Sequence, residues 1–182
     1  MNHFPLADDH TELDALLEEF FDALKTADVE TIYKSLDFFW ARLAMHIRAE
    51  HLHLFPAIIT TIEAQAAENN SSVPAFDEAH KAINDLQSDH NFFMRELLSA
   101  IKKLRELREN KTKAHSSKEI SDVREMIISV KRRLEDHNET EETKVYLWAD
   151  LLLDQAERAA LSRRMQREIT NLPPRFDKKT FA

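Results

Sequence analysis

Two His-x-x-x-Glu pairs carry the chemistry in this sequence, His46 with Glu50 and His137 with Glu141. Four residues along an α-helix turn through about 40° and rise about one turn, so each pair aims an imidazole and a carboxylate at one patch. Both pairs lie on apolar seams, at positions where leucine is the ordinary occupant. One seam runs Ile32, Leu36, Phe39, Leu43, His46, Glu50, His53; the other runs Val123, Ile127, Val130, Leu134, His137, Glu141, Val145. His10 and His90 each add one imidazole, on stripes continued by Leu13, Leu17 and Phe20 and by Ile83, Leu86 and Leu97. A bare carboxylate in an apolar core is costly unless paired, and two close together repel. Metal ions remove that cost by turning carboxylates and neutral imidazoles into ligands. Four nitrogens and two bridging carboxylates suit two iron ions, each with two histidines and a share of both glutamates; imidazole also suits zinc, and carboxylate suits manganese.

A lone histidine on a helix stripe is more often a satisfied core or boundary residue, and a single His-x-x-x-Glu can be a surface pair. The weight here comes from recurrence. The segment from Asp8, DDHTELDALLEEFFDAL, aligns without gaps to SDHNFFMRELLSAIKKL from Ser88. Likewise HIRAEHLHLFP from His46 aligns to HNETEETKVYL from His137. The chain thus reads as two copies of a helical hairpin, each carrying His…His-x-x-x-Glu. Of the other histidines, His51 falls about 140° from His46 and is expected to face solvent. His53 returns to the seam and is expected beside the ligands or at an entrance. Phe39, Trp40, Phe93 and Met94 are expected to pack around the site. Glu50-x-x-His53 also has ferritin-type spacing, but no second Glu-x-x-His stands on the partner seam.

The elements that must position these residues follow from periodicity. A first helix is expected from about Asp8 to Thr26, with Asp8 or Asp9 as N-cap. A second starts near Val29, with a kink or break at Pro56 and helical continuation over Ile58 to Ala67. Pro74 suits the first turn of a third helix. Ser116-Ser117-Lys118-Glu119 matches the capping box that opens a fourth. Asp154-Gln155-Ala156-Glu157 caps a fifth to about Ile169. The expected architecture is all-α: an up-down-up-down four-helix bundle over about residues 8–147, with a short additional C-terminal helix and tail over 148–182, all one domain spanning 1–182.

Composition agrees. The 182 residues contain no glycine, five prolines and no cysteine, with a formal net charge of −8. Hairpins and bulges favour glycine, so its absence argues for helices. Without cysteine there is no disulfide or thiol chemistry. The acidic balance and interrupted basic runs argue against nucleic acid. No apolar run is long enough for a membrane span, and the N-terminus does not read as a secretory signal, so cytoplasmic is the default expectation.

On His10, His46-Ile47-Arg48-Ala49-Glu50, Leu54-Phe55-Pro56, Asp89-His90 and His137-Asn138-Glu139-Thr140-Glu141-Glu142, the sequence resembles the hemerythrin-like proteins, the HHE cation-binding domain family. That resemblance spans about residues 8–147. It implies a non-haem di-iron centre in a four-helix bundle, with His10, His46, His90 and His137 as terminal ligands and Glu50 and Glu141 bridging. Oxygen carriers of the family have a fifth histidine one turn from the third helix's ligand; here Leu86 and Met94 hold those positions. The pattern is closer to the iron–sulfur-repair and nitric-oxide-responsive branch, although this chain lacks that branch's cysteines. The expected function is binding of, or reaction with, a small ligand: O2, NO or peroxide. The alternatives are an iron or oxygen sensor without catalysis and a structural bundle holding zinc.

Overall fold

The structure, a computed structural model, describes residues 5–26, 28–67, 74–109 and 116–176. Helix α1 spans Pro5–Thr26, α2 Val29–Ala49, α3 Phe55–Ala67, α4 Phe76–Glu109, α5 Ser116–Thr140, α6 Tyr146–Leu152 and α7 Gln155–Ile169, and a 3₁₀ turn covers Pro174–Phe176. The described residues include no strand, and no helix among them is long and apolar enough to cross a membrane. Helices α1, α2, α4 and α5 pack in a ring of neighbours, while α7 lies against α1 and α2.

The local reasons are those the side chains supply. Asp28 caps α2 by accepting hydrogen bonds from the backbone N–H groups of Glu30 and Thr31. Asp154 and Glu157 close a reciprocal capping box on α7, where the sequence expects one. The capping box expected at Ser116 rests on a side chain outside the described residues, as does the loop ahead of it.

Two expectations are corrected. Helix α1 starts at Pro5 rather than Asp8, so neither aspartate is its N-cap; Asp9 is buried inside the helix. Proline tolerates the first turn, where its missing N–H has no partner to lose. Pro74 lies outside α4, which starts two residues later. On α4 Phe93 is fully buried and Met94 packs partly covered against the same cluster, as expected.

The expected break at Pro56 takes a particular form. The helix widens into a π-turn over Glu50–Leu54, with the Phe55 N–H bonded to the Glu50 carbonyl, and α3 then runs on through Pro56. A second π-turn covers Glu141–Val145, closed by the Tyr146 N–H on the Glu141 carbonyl. Position 147, the counterpart of Pro56 in the repeat, is leucine. Proline is therefore not the common cause. What the two turns share is the preceding His-x-x-x-Glu, and widened turns of this kind cluster at functional sites.

Two apolar clusters make up the interior. One contains Leu13, Leu43, Phe93 and Leu134; the other contains Leu6, Leu54, Leu86 and Val145, together with Leu161, Met165 and Ile169 of α7. Each of the four ring helices carries its histidine between a residue of one cluster and a residue of the other. A polar layer therefore separates the two halves of the core.

Candidate metal centre

Six side chains form that layer, and all are buried: His10, His46, His90 and His137 are at most 4 % exposed, and Glu50 and Glu141 are at 0 %. They fall into two overlapping groups. His10, His46, Glu50 and Glu141 bring one donor atom each within 4.8 Å of one another, and so do Glu50, His90, His137 and Glu141. Both glutamates belong to both groups. Glu50 places Oε1 3.1 Å from His46 Nε2 and Oε2 3.1 Å from His90 Nε2. Glu141 places Oε2 3.3 Å from His10 Nε2 and Oε1 3.3 Å from His137 Nε2. Each carboxylate therefore spans the two halves of the cluster.

The imidazoles are turned the same way: Nε2 inward, Nδ1 outward. His46 Nδ1–H donates to Asp9 Oδ2 at 2.9 Å, His10 Nδ1–H to Glu142 Oε1 at 2.8 Å, and His137 Nδ1–H to Asp89 Oδ2 at 3.3 Å. His90 Nδ1 is 2.8 Å from His51 Nε2. An outer acceptor holds the proton on Nδ1 and leaves Nε2 as the bare donor, the arrangement that orients ligating histidines. Inside, Nε2 meets Nε2 at 3.2 Å between His10 and His46 and at 3.0 Å between His90 and His137. Such a pair can share only one proton. Both oxygens of Glu50 and Oε1 of Glu141 are buried without a hydrogen bond. A layer of acceptors with too few protons among them is the environment a cation completes, so the donor set fits a metal.

Electrostatics point the same way. Burial pushes the His46 imidazole down, but the Glu50 charge and the Asp9 hydrogen bond outweigh it and raise it from 6.5 to about 10. Burial likewise opposes protonation of His137, which Glu141 and Asp89 raise to about 10. Burial pushes Glu50 up, yet His46 and His90 hold it well below the usual carboxylate range. Without a metal, protons on His46 and His137 balance part of the buried carboxylate charge. A histidine whose folded pKa is raised stabilises the fold fully below its unfolded value of 6.5 and loses that contribution as pH climbs through about 10. The chelated protein is therefore expected to melt at a lower temperature at pH 9.5 than at pH 6.5. Metal uptake at pH 8 should release about two protons, measurable by pH-stat titration. Uptake without proton release would show that His46 and His137 are neutral before metal arrives.

Behind the cluster stand residues that spacing alone did not single out. Arg42 donates to both Asp9 and Glu12, and its Nη1 donates to the Ile169 carbonyl at 3.1 Å. Arg133 Nε donates to Asp89 Oδ1 at 2.6 Å. Both arginines lie four residues before a ligating-type histidine, and both aspartates directly precede one. The motif common to the two hairpins was thus Asp-His with Arg-x-x-x-His-x-x-x-Glu, and the repeat could have revealed it. Each aspartate serves the histidine of the neighbouring helix rather than the one beside it in sequence.

His51 is exposed, as expected, and has a second role. It reaches solvent, yet its Nε2 also bonds to His90. It sits at the start of the π-turn, where it can reach both solvent and His90. Burial and then the neighbouring His90 hold its pKa below the ordinary value. His53 lies on the α7 side, with Nε2 3.8 Å from Glu168 Oε1. Tyr146 brings a buried hydroxyl into the layer, 3.2 Å from His10 Nε2, and donates to Glu141 Oε2 at 3.3 Å.

A helical bundle with four inward imidazoles and two spanning carboxylates between its core halves belongs to the class of metal-binding bundles. The profile of one family in that class, the hemerythrin HHE cation binding domain, matches residues 5–149. The chain belongs to the hemerythrin family. Comparison with curated proteins and with solved structures returned no match.

Proposed function

We propose that the protein is a cytoplasmic non-haem di-iron hemerythrin that binds or reacts with O2, NO or peroxide, with His10, His46, His90 and His137 as terminal ligands and Glu50 and Glu141 as bridges. The observation that carries this reading is the pair of overlapping donor groups sharing both glutamates. The scaffold we infer is an up-down-up-down four-helix bundle of α1, α2, α4 and α5 within one domain over 1–182. Its support is the order in which each helix meets the core halves: Leu6 before Leu13 on α1, Leu43 before Leu54 from α2 onward, Leu86 before Phe93 on α4, and Leu134 before Val145 from α5 onward. Successive helices run through the polar layer in opposite senses.

When bound, iron would supply the electrons and the open coordination positions. The chain's own residues orient and insulate. Asp9 and Asp89 fix the imidazole planes of His46 and His137. Phe55 stacks near His90 at 6.0 Å between ring centroids, and Phe93 stands edge-on to His137 at 5.3 Å, keeping bulk water from that half. The donor set also accepts zinc or manganese. Elemental analysis of protein purified without added metal is expected to find iron, two per chain. The reduced protein should change its visible absorption on exposure to O2 or NO. Zinc at one per chain, or iron with no optical response to either gas, would overturn the proposal.

A sensing role has one observation in its favour. Arg42 joins Asp9, and through it His46, to the last carbonyl of α7. A change at His46 therefore has a direct route to the docking of the C-terminal helix. Protease susceptibility of α7 that is unchanged by chelation would remove this reading.

A further inference from the structure

The two halves of the centre are built by a repeat, yet the repeat is broken at two positions that face them. Glu142 and His51 are counterparts, each directly following a spanning glutamate and each bonded to the Nδ1 of a lone histidine: Glu142 to His10, His51 to His90. Tyr146 and Phe55 are counterparts as well. Tyr146 stacks on His10 with centroids 5.9 Å apart and Phe55 on His90 with centroids 6.0 Å apart, but only the tyrosine carries a hydroxyl.

The consequences are chemical. Behind the His10/His46 half, Asp9 and Glu142 each place a carboxylate on an imidazole, and Arg42 donates to Asp9 and to the exposed Glu12. Behind the His90/His137 half, Asp89 is matched by Arg133, and His51 brings no negative charge. A carboxylate on Nδ1 makes an imidazole a stronger donor than a neutral ring does, and negative charge close by favours a dication. The first half has a carboxylate behind both of its imidazoles, and the second behind one. Tyr146 adds a hydroxyl oxygen to the first half, where the second has a hydrocarbon ring.

We propose that the centre holds two unequal cation positions, and that the His10/His46 half takes a divalent ion first because Glu142 and Tyr146 supply charge and an oxygen that His51 and Phe55 do not. This inference rests on the two-cation reading above. It also gives the halves different work: the first as the anchored ion, and the second, beneath Phe55, as the one with the poorer donor set.

Cobalt(II) titration of the metal-free protein, followed by calorimetry and by the ring signals of ¹³C-labelled histidine, tests it. Two steps are expected, with the His10 and His46 signals perturbed at the first equivalent and those of His90 and His137 at the second. Glu142→Gln, at a half-exposed position, should weaken the first step roughly 10-fold or more and leave the second unchanged. His51→Glu should strengthen the second step and narrow the gap, and Tyr146→Phe should weaken the first. Equal steps in the wild type, or filling of the His90/His137 half first, would overturn the inference while leaving the two-cation reading intact. Weakening of both steps alike by Glu142→Gln would overturn it too. Binding of one cation or none would sink the two-cation reading itself, and this inference with it.

Discussion

Replacing Glu50 by glutamine is expected to empty both cation positions at once. In the proposed centre Glu50 is one of the two carboxylates common to both halves, Oε1 toward His46 and Oε2 toward His90, both at 3.1 Å. Glutamine keeps the shape and so keeps the packing between the apolar clusters. It loses the charge that draws a cation into a layer at 0 % exposure. A neutral amide is a poor replacement for a bridging carboxylate, so the affinity loss should exceed the roughly 10–100-fold typical of losing an outer partner. Metal content per chain, read by elemental analysis beside a helical circular dichroism spectrum, checks this. His90→Ala serves as the contrast: it removes a ligand from one half only and should leave the His10/His46 half able to fill. If Glu50→Gln retained full metal content, Glu50 would be a bystander and the bridging assignment would fail.

The second large effect is on stability. Chelation should lower the melting temperature steeply, because the layer left behind consists of two buried carboxylates and four imidazoles with too few protons among them. A ligand present at a thousandfold over its dissociation constant stabilises by about 4 kcal/mol per site, so two cations contribute about 8 kcal/mol. For a chain of this length each kcal/mol corresponds to about 2–4 °C, which gives a drop of about 15–30 °C. Calorimetry with and without chelator at pH 8 measures it. The drop should be smaller at pH 6.5, close to the unfolded value, where more of the stabilisation that protonated His46 and His137 give the metal-free fold is retained than at pH 8. An unchanged melting temperature would mean that the layer is satisfied without metal.

The legibility of this protein in its sequence divides by range. Helical periodicity, the missing glycines and the Asp154 cap are properties of contiguous residues, and they place the all-helical elements apart from the starts of α1 and α4. The six inward residues were legible for a different reason. A polar residue on an apolar seam violates the local pattern, and the violation occurs twice at the same spacing. Helix α1 was misjudged at its start because Asp8 and Asp9 look like caps in one dimension. In the folded chain Asp9 is buried against Arg42 and His46.

What the sequence determined alone was therefore the set of elements and the six side chains that face one another, because both follow from spacing along a helix. What only the tertiary structure decided was everything that depends on which helices are neighbours and on how far each turn winds. Asp9 supports His46, and Asp89 supports His137, because the partners lie across a helix pair rather than along the chain. His51 is exposed and also bonds to His90, a contact that only the packing of the widened turn against α4 shows. Tyr146 and Phe55 differ by one hydroxyl, and only the packing shows that this hydroxyl lies within reach of His10 and Glu141. Local geometry set the six inward side chains; through-space geometry gave the two halves of the repeat different neighbours.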